Sequence, residues 1–335
     1  MVRKLSLNQH VYLHNKGQIE LPFQLIFALV AGSIILLIFV IFAFKGWDIS
    51  QQKSSIFIAD TLTLLLTSTE VSPKTFLPID DLPKSKIEFG CEGFSVNGQQ
   101  KSYRNKIVFG PSSVTTTRLR LWSFDWNVPF YVTNMIAVTS PGILYVFVGD
   151  PTDSLIKTMQ DTIPKNMSTL LFCPSTFCPR ASALQPTGHE QTRFIFVNTN
   201  PSLPPAFSGK KISGLSVNTA SNILTFLQPR TLGQTKDPPL PIIGMPMLYG
   251  AIFADNIETY KCNLDKAYQR LGYLAQIYDE KQKFLQDNSP RDRSCTYSAP
   301  LEQLKKNPSS LNANIIESIK KSNHLLQQQS CPLIY

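Results

Sequence analysis

The sequence predicts an α/β (or α+β) domain with a C-terminal antiparallel helical hairpin, mounted on one N-terminal transmembrane helix. Three observations lead there: an uncharged run of 24 residues near the N-terminus, short apolar runs with turn residues between them in the middle, and a 3–4 spaced apolar seam towards the end. The 335 residues are 43% hydrophobic and 10% aromatic. That is enough apolar mass for a packed core and excludes general disorder.

The uncharged run extends from Leu21 to Phe44, closed by Glu20 and Lys45, with Trp47 where an interfacial aromatic belongs. As a helix it measures about 36 Å, against a hydrocarbon core of about 30 Å. A cleaved signal peptide would have a shorter apolar region and a small-x-small site behind it, and neither is present. Arg3, Lys4 and Lys16 precede the run, whereas Lys45 and Lys53 after it are mixed with Asp48 and Asp60, which favours a cytoplasmic N-terminus. All six cysteines follow the run, as disulfides of an oxidising compartment would. The expected layout is a cytoplasmic tail (1–20), a membrane span (21–44), a juxtamembrane helix and linker (45–85), a β-rich α/β domain outside the cell membrane (86–255), and the helical hairpin (256–335). Membrane lipid is the first expected partner.

Ahead of the span the chain reads Lys16-Gly17-Gln18-Ile19-Glu20-Leu21. A basic residue, glycine, then glutamine opening a long apolar helix resembles the class III prepilin signals of archaea. The resemblance implies processing between Gly17 and Gln18 and a helix able to form a filament core. It departs from that pattern in placing Glu20 third and Pro22 fifth after the cut. The wider layout, with the Trp122-to-Phe130 stretch and the late Tyr260-x-Cys262, is similar to single-span surface proteins of small-genome archaea, a group that implies no particular activity.

Residues 51–68 read as a helix. Two strands then flank Asn97-Gly98, a strong hairpin dipeptide. Trp122, Phe124 and Trp126 alternate as strand residues do until Pro129, and read as core. GILYVFVGD (142–150) is an apolar strand, PTDSLIKTMQ (151–160) starts a short helix, and LYGAIF (248–253) reads as a last strand. In the C-terminal part Asp255 caps, with Glu258 in capping-box spacing. Ile257, Tyr260, Leu264, Ala267, Leu271, Leu274, Tyr278 and Leu285 form the seam, and a second helix begins near Ser309 or Ser310. An antiparallel return would bring Cys331 beside Cys262. Cys173–Cys178 is a natural local loop, leaving Cys91 with Cys295.

Motifs for chemistry are sparse. His189-Glu190 lacks the second histidine of a zinc helix, so no metal site, cofactor or catalytic set is assigned. Gly214-Leu215-Ser216-Val217-Asn218 nearly spells a nucleophile elbow, with Asn218 replacing the last glycine. Asp150 and Asp153 follow one strand and Asn198 and Asn200 another, where an open α/β sheet gathers ligands, although turns use the same residues. Asn166-Met167-Ser168 is an N-glycosylation sequon. Beyond residue 45 the chain holds 28 basic against 22 acidic residues, with Lys101, Arg104, Lys106, Arg118 and Arg120 as the densest cluster. That charge suits other surface proteins or anionic envelope glycans better than nucleic acid. The expected function is non-enzymatic, in surface structure, adhesion or assembly, with a pilin-like variant. The alternative is an anchored ligand-binding domain or enzyme working at the strand carboxyl ends.

Overall fold

The computed structural model describes residues 20–167, 169–174, 188–201, 211–227, 237–288 and 295–335. Three sheets organise the compact unit Ser55–Tyr335. The first has the order β1-β7-β8-β5, from β1 (Phe76–Ile79), β5 (Val108–Phe109), β7 (Leu119–Asn127) and β8 (Tyr131–Thr139). The second, β4-β3-β2-β6, is antiparallel and comprises β2 (Ser85–Phe89), β3 (Gly93–Val96), β4 (Gln99–Ser102) and β6 (Ser113–Thr116). The third has six strands in the order β10-β9-β11-β12-β13-β14. In it β9 (Ile143–Gly149), β10 (Thr169–Pro174), β11 (Gln191–Val197) and β12 (Ile212–Asn218) run parallel, while β13 (Ile223–Leu227) and β14 (Leu240–Pro241) are antiparallel additions.

Side-chain alternation distributes these strands between cores. On β7, Trp122, Phe124 and Trp126 enter the main core, while Leu119 and Leu121 enter a second one with Ile87, Phe94 and Val114 of the small sheet. On β9, Tyr145 and Phe147 face the main core and Leu144, Val146 and Val148 a third cluster with Phe194 and Phe196. Both faces of β9 and β11 are buried, which explains the unbroken apolar run of β9 and that of β11 from Phe194 to Val197. Asn97 and Gly98 both have positive φ, 49° and 88°, and join β3 to β4 in the two-residue turn that such strands favour.

Residues Glu20–Val71 form one helix, α1, of 52 residues. Among the described residues no helix is long and apolar enough to cross a membrane, which corrects the expected span at 21–44. The membrane anchor, the cell-membrane localisation with its cytoplasmic and extracytoplasmic sides, and the pilin-like assignment fall with it. Ile26, Phe27, Leu29, Ile34, Leu36 and Phe39 are exposed. From Ser55 onwards the helix buries Ile58, Ala59, Leu62 and Leu66 in the second core.

The run 248–253 is helical rather than the expected last strand: α3 spans Met245–Phe253 and buries every residue from Met247 to Phe253. Gly244 and Pro246 mark its start, a signal that outweighs the strand-like composition. Gly250 is required because a Cβ there would meet the Phe109 ring at 2.8 Å.

The C-terminal hairpin also needs correction. Helix α4 (Ile257–Asp287) is capped by Asn256, one residue beyond the expected Asp255, with the Asn256 side chain accepting from the Thr259 N–H. The antiparallel return is made by residues 297–310, including α5 (Leu301–Lys306). Tyr297 pairs with Gln286, Ala299 with Gln282, and Lys305 with Asp279, until Pro308 seats against Gly272. The chain then reverses again into α6 (Ala313–Gln328), capped by Asn312. Its end therefore lies near the end of α4, where Tyr335 packs on Tyr278. This extra reversal pairs Cys331 with Cys295 rather than Cys262. Cys262, on the first turns of α4, joins Cys91 in the β2–β3 turn. Cys173 is disulfide-bonded, and Cys178 lies outside the described residues.

Candidate functional site

The carboxyl ends of β9, β11 and β12 bring Asp153 and Asn198 together, but these groups bond each other. The Asn198 amide donates to Asp153 Oδ2 (2.7 Å) and to Thr219 Oγ1 (2.7 Å), and its carbonyl accepts from the Thr219 N–H (2.9 Å). The other Asp153 oxygen caps α2 (Ser154–Thr162) by accepting from the Leu155 N–H. Asp150 is held in a separate turn, accepting from the N–H and hydroxyl of Thr152, and those bonds lower its pKa. Asn200 is exposed beyond them. Asn198 also sits at a φ of 52°, which asparagine tolerates better than most residues. Asn198→Ala should therefore cost about 1–2 kcal/mol in a urea unfolding titration. An unchanged midpoint would show that these bonds carry no structural weight.

The opposite, amino ends of the same parallel strands open onto clefts. A small one of about 90 Å³ is lined by Ser113, Thr115, Ile143, Glu190, Gln191 and Lys211. It shares Thr115 and Glu190 with a cleft of about 310 Å³ that adds Lys84, Thr117, Arg118 and Pro141. That cleft shares Arg118 and Pro141 with a third, of about 470 Å³, bordered by Phe76, Pro78, Asp80, Arg120, Lys165 and Asn166. Through these shared residues the three clefts adjoin one another along a groove. Its floor is stiffened by the Thr116 hydroxyl, which accepts from the Arg118 N–H (3.0 Å), donates to the Arg118 carbonyl (2.8 Å), and meets Ser140 Oγ at 2.9 Å. Arg120 is paired with Asp80 at 2.9 Å. Lys84, Arg118 and Lys165 are exposed and, among the described residues, make no ion pair.

Within the six-stranded sheet lies a buried cation that sequence reasoning missed. Arg193, on β11, donates to Ser213 Oγ (2.9 Å) and to the Ala251 carbonyl (2.7 Å), and its guanidinium carbon stands 5.4 Å from the centre of the Phe226 ring. Its Nε has no hydrogen-bond partner among the described residues. Burial pulls its pKa down to about 10, opposed by Asp255 and Tyr145, so it stays charged at neutral pH. An arginine inside an apolar strand run carries no spacing signal of its own, which is why the linear pattern did not single it out.

The remaining candidates scatter. Lys106 is buried, Lys101 pairs with Asp60, and only Arg118 and Arg120 of the expected basic cluster reach the groove. Ser216 lies within β12 and not on a strand-to-helix turn, so the elbow motif is an ordinary strand. Cys91, Cys262 and Glu92 place ligand-type atoms close together, yet the two sulfurs are bonded to each other, which leaves only a carboxylate beside a disulfide. Asn166 is exposed on the turn after α2. Gly17 and Gln18 lie outside the described residues. The chain matches no known family model, no curated protein and no solved structure.

Proposed function

We propose that this chain is a non-enzymatic protein with a structural or adhesive role, a disulfide-clamped α/β body that holds a macromolecule and does not convert a small one. The observation that supports this is the state of the strand carboxyl ends. An enzyme working there would direct Asp150, Asp153 and Asn198 at a substrate. Instead Asp153 and Asn198 bond each other and their turns with every side-chain polar atom, and Asp150 is held in its own turn through one carboxylate oxygen. Two described disulfides, spanning 171 and 36 residues, constrain the unfolded chain and so stabilise the folded body.

The test is incubation of the full chain, in a nonionic detergent that keeps residues 26–41 dispersed, with insoluble envelope polysaccharide from the source cells. The expected result is saturable co-sedimentation with no soluble fragments released. Failure to sediment overturns the reading. So does sub-stoichiometric release of fragments that stops in Asp153→Asn.

A further inference from the structure

We infer that the groove at the amino ends of the parallel strands binds an anionic polysaccharide, a chain bearing carboxylates or sulfates, with Lys84, Arg118 and Lys165 as its principal contacts. This rests on the non-enzymatic binding role proposed above and names the ligand class and the surface.

Three features select that ligand. Lys84, Arg118 and Lys165 have no ion-pair partner among the described residues, so a bound anion would not have to break an existing pair. They line joined clefts of about 310 and 470 Å³, an extended track suited to a polymer with repeating charges more than to one small anion. The rest of the lining includes hydroxyl and amide groups (Thr117 and Asn166), two carboxylates, Asp80 neutralised by Arg120 and Glu190 at the far edge, and the flat apolar faces of Pro78, Pro141 and the half-buried Phe76. Sugar rings meet such a surface with their hydroxyls on the polar groups and their C–H faces on the apolar ones. A single-stranded nucleic acid would call for several stacking rings along the track, and Phe76 is the one aromatic residue lining these two clefts. The Thr116 hydroxyl, bonded to the Arg118 N–H and carbonyl and to Ser140 Oγ, fixes the backbone that carries Arg118, so the turn need not reorder on binding.

The test uses the full chain in nonionic detergent, titrated calorimetrically with size-selected polygalacturonate. Neutral dextran and a single-stranded DNA oligonucleotide are run alongside. Polygalacturonate should bind at low salt and weaken steeply as sodium chloride rises towards about 0.5 M, because exposed charges are screened. The triple variant Lys84→Gln/Arg118→Gln/Lys165→Gln should bind at least about 30-fold more weakly. A control variant on another face, Lys261→Gln/Lys320→Gln, should bind as the parent does. The inference is overturned by no polygalacturonate binding, by equal binding of dextran or tighter binding of DNA, or by a triple variant that folds and binds like the parent. Circular dichroism establishes that the variant folds. Co-sedimentation retained by the triple variant would overturn the groove and leave the broader reading standing. Loss of co-sedimentation by the parent chain would overturn the broader reading by itself.

Discussion

Replacing Cys91 and Cys262 together by alanine should lower the stability of the Ser55–Tyr335 unit by about 5 kcal/mol, the largest effect expected of any paired substitution here. The bridge joins residues 171 apart in sequence, so its loss frees the unfolded ensemble from a very large closed loop and raises its entropy. The equivalent Cys295→Ala/Cys331→Ala change, across 36 residues, should cost about 4 kcal/mol. The first bridge also ties the small antiparallel sheet to the start of α4. Lys266 of α4 donates to the Cys91 carbonyl and lies 3.5 Å from Glu92, a partly exposed contact that cannot replace a covalent bond. Urea unfolding of each double variant measures the ranking, and non-reducing peptide mapping checks the pairing directly. Recovery of a Cys262–Cys331 peptide would contradict the second chain reversal after Pro308.

Tyr260→Ala should cost about 3–5 kcal/mol, and Tyr260→Phe only about 1. The ring is fully buried between Phe109 of β5 and Phe226 of β13, with centroids at 5.7 and 5.4 Å, and its hydroxyl donates to the Met247 carbonyl of α3. One side chain thus joins two sheets and two helices. Removing it opens a cavity that rigid strands cannot close, whereas removing only the hydroxyl gives up one hydrogen bond to a carbonyl already inside a helix. A loss of about 4 kcal/mol should appear as a fall in melting temperature of roughly 8–16 °C. A fall of only a few degrees would mean that the sheets can close around the gap.

Local chemistry made several of these elements legible. Asn97-Gly98 demands a turn with two positive φ angles and forms one. The alternation Trp122, Phe124, Trp126 places three aromatic residues on one face of β7, all of them in the main core. The α4 seam buries Ile257, Tyr260, Leu264, Ala267 and Leu271. Each is decided within a few residues, by steric limits or by a period of two or about 3.6, so the linear order carries it. The run at 248–253 was not legible because a short apolar segment suits a buried strand and a buried helix equally.

What could be read from the linear order is therefore the inventory: which segments are apolar, where turns and caps fall, that an even number of cysteines is present, and that the chain is basic. Tertiary structure decided which pieces meet. The return beside α4 followed by a second reversal chose the cysteine partners, because pairing depends on where helices end in space and not on their separation along the chain. The same holds for the polar residues. Asp153 and Asn198 look ligand-directed in one dimension, yet their parallel strands bring them close enough to bond each other. Lys84, Arg118 and Lys165, far apart in sequence, line adjoining clefts because the start of β2, the β6–β7 turn and the turn after α2 come to one edge. Local periodicity fixes what a segment can be; the packing of whole strands and helices against one another fixes what it touches.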